Sequence, residues 1–152
     1  PDIMTLAKAL ANGIPIGAML ASSGVAEAFT PGSHASTFGG TPLVTAVAIE
    51  VLRQISRQSF LDRVQVVGDY FRHQLLSLLE KYSFVREVRG RGLILGMEVD
   101  FPGGEIVSQC QERGVLINCT AEKVLRFLPP LTVTSEEVDR LIETLDVVFG
   151  QI

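Results

Sequence analysis

"PDIMTLAKALANGIPIGAML", residues 1–20, sets a single lysine, Lys8, between two apolar stretches and follows it with Asn12, Gly13, Pro15 and Gly17. Residues 3 to 7 are short and mostly apolar, which reads as a buried strand or the run-in to a turn. Residues 14 to 21 read as a second strand, with Pro15 near its beginning because proline has no N–H for a ladder. The connection between them is tight, since Asn12-Gly13 favours left-handed backbone. Two such strands, buried on both faces as their composition implies, need neighbouring strands that these residues do not supply. Lys8 is either a solvated side chain, as most lysines are, or an amine held among apolar neighbours. Full burial disfavours the ammonium and lowers its pKa by as much as roughly 3–5 units. Such an amine serves as a nucleophile or proton carrier near neutral pH.

Downstream, "TPGSHASTFGGTP", residues 30–42, has no apolar period and reads as a loop. Thr41-Pro42 looks like the cap and first turn of a helix carrying Leu43, Val44, Val47, Val51, Leu52 and Ile55 at helical spacing. A second helix, from about Phe60 to Lys81, collects Phe60, Val64, Val67, Phe71, Leu75, Leu78 and Leu79 on one face. After Ser83 the pattern turns to strands, residues 84 to 91 and 93 to 100, separated at Gly90 and Gly92. A short helix from Glu105 to Arg113 stops at Gly114. Two more strands follow, Val115 to Cys119 and Val124 to Leu128, with an exit forced by Pro129-Pro130. The last helix opens on a Thr134/Glu137 capping box and buries Val138, Leu141, Ile142, Leu145, Val148 and Phe149. The second half is thus a small α+β unit of strands covered by helices; the first half does not close on itself.

The 152 residues suffice for a real hydrophobic core. A hydrophobic fraction of 47% and a mean hydropathy of +0.33 imply apolar faces covered by something else. No apolar run approaches the roughly 18 residues of a membrane span, and the N-terminus lacks a signal-peptide pattern, so a cytoplasmic protein is predicted. The net charge of −4 and the absence of basic runs argue against a nucleic-acid surface. Cys110 and Cys119 match no metal spacing and read as small apolar residues. The chain opens on Pro1-Asp2 rather than methionine, which reads as a fragment.

"SHASTFGGTP" offers an anion what it needs: the hydroxyls of Ser36 and Thr37, the flexible backbone of Gly39-Gly40, and a helix start. An ordinary capping loop has the same composition. The Walker lysine pattern is missing, so a nucleotide P-loop is not supported. Taken in order, residues 1–20, "GSHASTFGGTPL" (32–43) and "LINCTAEKVLRFLPPLTVTSEEVD" (116–139) resemble the class III pyridoxal-phosphate aminotransferases of fold type I. The third stretch is similar to the small-domain segment of the acetylornithine and ornithine aminotransferase branch.

That resemblance implies an α/β fold, with residues 1–82 the end of a large cofactor-binding domain and its connecting helices, and 83–152 a small C-terminal α+β domain. It implies that Lys8 forms a Schiff base with pyridoxal 5'-phosphate and moves a proton during catalysis. It further implies that Thr37, with Ser36 as helper, binds the cofactor phosphate of the neighbouring subunit of a homodimer. Arg126 matches the arginine that grips the substrate α-carboxylate, which suits a planar fork making two parallel hydrogen bonds; read alone, an arginine between Leu125 and Phe127 is a surface residue of an edge strand. The implied reaction moves an amino group from N-acetylornithine, or a related ω-amino acid, to 2-oxoglutarate in arginine biosynthesis. The implied parent is at least about twice this length, because the family's ring-nitrogen aspartate, phosphate turn and stacking aromatic lie upstream of the lysine. Without them the 152 residues are expected to be inactive. Within the family, ornithine, succinylornithine and 4-aminobutyrate aminotransferases and aminomutases share Lys8. A truncated, non-catalytic interaction module is the alternative outside it. His34 and His73 are weaker acid–base candidates, Arg89 and Arg91 either bind an anion or end strands in solvent, and Asp2 reads as structural.

Overall fold

A computed structural model describes all 152 residues. They form two compact units, Pro1–Phe60 and Leu61–Ile152. In the first, β1 (Ile3–Leu6) and β2 (Ala18–Ala21) pair antiparallel, Leu6 opposite Ala18 and Ile3 opposite Ala21. A 3-10 turn, Lys8–Ala11, follows β1, and a four-residue helix α1 (Ser23–Ala26) follows β2. Helix α2 (Pro42–Ile55) packs Ala48, Val44 and Val47 against Leu10 and Ala11 of that turn.

Three expectations change here. Residues 14 to 17 do not join the second strand; Ile14 and Ile16 pack instead against the Leu10–Ala11–Ala48 cluster. The strands are not buried on both faces within this chain, since Ile3, Met4, Met19 and Leu20 are all exposed. The reason is geometric: α2 covers the turn and leaves the ribbon uncovered. Thr41 is the cap of α2 by position, but its side chain bonds no backbone N–H. The Thr45 hydroxyl donates to the Thr41 carbonyl instead, at 3.0 Å.

The second unit closes properly. Its four-stranded antiparallel sheet runs in the order β3 (Val85–Arg91), β4 (Ile94–Val99), β6 (Val124–Phe127), β5 (Asn118–Thr120). Alternation sends Val88, Leu95, Met97, Leu125 and Phe127 to one face. There they meet Phe71, Leu75 and Leu78 of α3 (Gln58–Lys81), Ile106 and Cys110 of α4 (Gly104–Glu112), and Val138, Leu145, Val148 and Phe149 of α5 (Ser135–Phe149). Gly68 lets α3 approach the β3–β4 turn, because a Cβ there would come within 2.8 Å of the Gly92 backbone. The predicted face of α3 is the one buried, with Phe60, Val64 and Leu79 at its margins. The Thr134/Glu137 capping box forms in full, a cap of the kind that contributes about 1 kcal/mol. At the end of α4, Val115 N–H donates to Cys110 O and Gly114 N–H to Gln111 O, with Gly114 at φ +76°. That helix end holds residues 115 to 117 out of the sheet, so the predicted Val115–Cys119 strand is displaced to 118–120, where β6 offers partners.

Asp146 of α5 fastens the end of α3. Lys81 Nζ donates to both its carboxylate oxygens, at 2.6 and 2.8 Å, and the Tyr82 hydroxyl donates to one, at 2.8 Å. The Lys81 bond, then the Tyr82 bond, hold the Asp146 pKa below its ordinary value, while Asp146 raises that of Lys81. A carboxylate whose pKa is lower folded than unfolded stabilises the fold above its unfolded pKa and stops doing so as pH falls through the folded value. An acid titration of unfolding free energy is therefore expected to fall less steeply in Asp146→Asn than in the parent. The difference is small, because both partners are about half exposed. Equal slopes below about pH 4 would remove Asp146 from the account.

Candidate functional site

Lys8 stands where β1 ends and the 3-10 turn begins, with its backbone in the left-handed region at φ +56°. Asn12, at φ +50°, closes the same turn. A non-glycine residue held there costs about 1–3 kcal/mol, and such strain persists where neighbouring structure over-determines it. Here the neighbours are the β1–β2 pair before the turn and the buried Leu10 and Ala11 within it. The side chain is exposed and makes no hydrogen bond or ion pair in this chain. Of the two readings left open above, the solvated one describes Lys8 within these residues, but the backbone is not that of an ordinary surface lysine. Nothing in the sequence signals this strain, because lysine is not a residue that favours left-handed backbone.

The loop before α2 is exposed from Pro31 to Gly40. Its bend is built by Ser36, whose Oγ accepts from Gly39 N–H at 2.9 Å. A Cβ on Gly39 would lie 2.7 Å from that oxygen, so a larger residue there would push the Ser36 hydroxyl off this bond. The Ser36 hydroxyl keeps its own proton free, and Thr37 makes no hydrogen bond at all within the chain. Since α2 begins at the end of this loop and packs on the turn opened by Lys8, one helix ties both features to the same small cluster.

Arg126 belongs to the second unit. It sits on β6, an inner strand paired on both sides rather than an edge, between Leu125 and Phe127, which are 0% and 2% exposed, and points from the sheet face opposite the core. Across that face it stands in register with Gly96 of β4 and Asn118 of β5, and Gly96 in turn with Arg89 of β3. Arg126 and Arg89 line one shallow cleft with Gly96, Thr120 and Val124. Arg89 is engaged by Glu98 at 2.7 Å and Glu87 at 2.5 Å, which raises its pKa in that order of importance. Arg89 is thus neither left free for an anion nor simply solvated, but paired on the strand face with two glutamates; Arg126 has no such partner. His34 and His73 are exposed and bond to nothing in the chain. Cys110 is fully buried, and burial pushes its thiol up to about 11, which makes it unreactive at neutral pH. Cys119 is partly buried, its Sγ 3.1 Å from Glu122 O.

Comparison with known proteins gives this arrangement its context. The family described as "Aminotransferase class-III" matches residues 1–149. The chain belongs to the class-III aminotransferases. It is 49% identical over 152 residues to an acetylornithine aminotransferase of Methanocaldococcus jannaschii, and 50% identical over 153 residues to one of Caldanaerobacter subterraneus. Each alignment covers this chain in full but only 38% and 39% of the relative. The fold is similar, at a TM-score of 0.91 and 37% identity, to an ornithine aminotransferase of Toxoplasma gondii, matching all of this chain and 38% of that one. An acetylornithine aminotransferase of Elizabethkingia anophelis matches at 0.88 and 30%, over all of this chain and 39% of its own. These matches place the chain in the fold type I α/β aminotransferases, and the antiparallel sheets described above are its share of that fold.

Class-III aminotransferases use pyridoxal phosphate, and a second structure of the T. gondii enzyme shows partial occupancy of it at the active site. The residues here fit that group. Lys8 would hold its aldehyde: a primary amine with no competing partner, on backbone held by a strand pair and a buried turn, has the chemistry for that bond. Ser36 and Thr37 would hold its phosphate, as hydroxyls with free protons on an exposed loop. No helix of the protein is long and apolar enough to cross a membrane.

Proposed function

We propose that this class-III aminotransferase sequence carries the lysine, phosphate-loop and carboxylate-arginine parts of an enzyme that moves an amino group from N-acetylornithine to 2-oxoglutarate. The observation that supports the substrate is identity of 49–50% to two acetylornithine aminotransferases across the whole chain. In this reading Lys8 attaches the cofactor through its amine. The same amine, once free of the cofactor, would move a proton at the carbon that bears the transferred amino group, the terminal carbon of N-acetylornithine and the α-carbon on the 2-oxoglutarate side, a task served by a short backbone segment that cannot drift. Thr37, with Ser36, donates to the phosphate, reaching across a homodimer interface that also covers apolar residues exposed in the chain alone. The Arg126 fork holds a substrate carboxylate. The cofactor, when bound, supplies an electron sink for the charge that develops at the substrate carbon.

Residues 1–82 then complete a large domain and 83–152 form a small one, in a cytoplasmic enzyme of arginine biosynthesis. Ornithine is the second donor to weigh, because the fold matches an ornithine aminotransferase at a TM-score of 0.91. The test is the complete gene product, loaded with cofactor and assayed with N-acetylornithine, ornithine and 4-aminobutyrate against 2-oxoglutarate. The highest kcat/KM is expected for N-acetylornithine, and a preference for either free amino acid would overturn the assignment. The 152 residues alone are expected to turn over nothing, since the chain spans under two-fifths of the relatives it matches.

A further inference from the structure

Arg63, in the first two turns of α3, extends its guanidinium to three consecutive carbonyls. Its Nη1 donates to Leu131 O at 2.9 Å, and its Nη2 to Thr132 O at 2.8 Å and Val133 O at 2.7 Å. These carbonyls lie just beyond Pro129-Pro130, where two residues without N–H groups end the β6 ladder. Backbone bonding in that stretch is limited to Val133 N–H on Pro130 O. Arg63, Val67 and Phe71 fall at i, i+4 and i+8, one stripe of the helix. The far end of that stripe also grips β6, through the edge-on contact of Phe71 with Phe127, centroids 5.6 Å apart. The strand is therefore held to α3 immediately after Arg126, by a ring contact, and again five residues later, by a guanidinium.

We propose that Arg63 is a positioning residue for Arg126: by clamping the carbonyls of residues 131–133 it fixes the strand end that aims the carboxylate-binding fork. This rests on the reading of Arg126 given above. The Arg126 guanidinium has no hydrogen bond or ion pair of its own, so its direction depends on the backbone beneath it. The clamp needs a planar fork with several donors, and an ammonium, a point charge, does not span three carbonyls. Two of the three bonds lie at the surface, where water takes over a lost donor. Removing Arg63 consequently loosens the segment more than it unfolds the unit.

The test uses the complete gene product loaded with cofactor. The probe is glutarate, a dicarboxylate without a reacting amino or oxo group, and its Kd is measured by calorimetry for the parent, Arg63→Met, Arg63→Lys and Arg126→Lys. Arg63→Met is expected to weaken glutarate about tenfold, well below the roughly 100-fold that a 1 Å misplacement can cost. KM for both substrates should rise by a similar factor, with kcat and the visible cofactor absorbance nearly unchanged and Arg63→Lys intermediate. A lowered melting temperature with unchanged glutarate affinity would mean that Arg63 only stabilises, and would overturn the inference. If Arg63→Met does not fold, Arg63→Lys decides by the same comparison. Loss of affinity in Arg126→Lys but in neither Arg63 variant overturns the positioning role alone. Loss in none of the three overturns the carboxylate role of Arg126, and this inference with it.

Discussion

Lys8→Ala in the complete gene product is expected to abolish the visible absorbance that appears when the amine condenses with added pyridoxal phosphate, and to lower turnover by at least about 10³-fold. The size follows from two roles lost together, covalent attachment and proton transfer, the second alone contributing about 10²–10⁴-fold in enzymes that use it. The substitution should leave the fold untouched. Lys8 is exposed, bonds to nothing in this chain, and has no packed methylenes in the Leu10–Ala11–Ala48 cluster. Alanine inherits the same left-handed backbone without relief, so stability should change by no more than about 0.5 kcal/mol. Activity and stability are thereby separated in one variant. Absorbance that survives in Lys8→Ala would assign the covalent bond to another amine.

What sequence conveys about this protein divides along a physical line. Features set by local chemistry were legible: the Thr134/Glu137 box, the stop at Gly114, the stripe from Val67 to Leu78, and the turn at Gly92 all depend on residues a few positions apart. The candidate residues Lys8, Ser36, Thr37 and Arg126 were legible for a different reason, as ordered motifs that resemble one family, and their roles are proposals. Features set by partners far along the chain were not legible. β1 and β2 carry the composition of buried strands, yet burial needs a cover, and α2 spends its apolar face on Leu10 and Ala11. Residues 115 to 117 have strand composition too, but the helix end at Gly114 and the short reach of β6 determine where pairing starts. Arg63 stood out in no pattern, because its partners are backbone carbonyls 68 to 70 residues away. The glutamates that neutralise Arg89 could have been anticipated: Glu87 is two residues away on the same strand face, and the hairpin turn brings Glu98 opposite Glu87.

Gly90→Ala should be the most damaging single methyl group in the second unit. Gly90 pairs with Leu95, one pair in from the turn of the β3–β4 hairpin, and holds φ +131°. An added Cβ would sit 2.1 Å from the Ile94 carbonyl oxygen and 2.9 Å from the Leu95 Cα. Both are backbone atoms, so no side chain can swing aside, and relief means parting the two strands. Leu95 is 2% exposed, which makes any displacement of β4 a displacement of the core. Strained backbone costs about 1–3 kcal/mol, and the forced overlap brings the expected loss to about 3–5 kcal/mol, the range of the most severe point mutants. Against a total stability of about 5–15 kcal/mol, that takes a large share. Gly92→Ala is the matched control. It too has positive φ, +55°, but a Cβ there meets nothing within 4 Å, so about 1 kcal/mol is expected from left-handed backbone alone. Urea midpoints of the two variants check the difference, and equal losses would show that φ, rather than the collision with Ile94, governs the hairpin. The consequence reaches the cleft lined by Arg89 and Arg126 as well. Gly96, one residue past Leu95, is the register partner of Arg126, so a β4 pushed off β3 carries β6 with it and redirects the unpaired guanidinium.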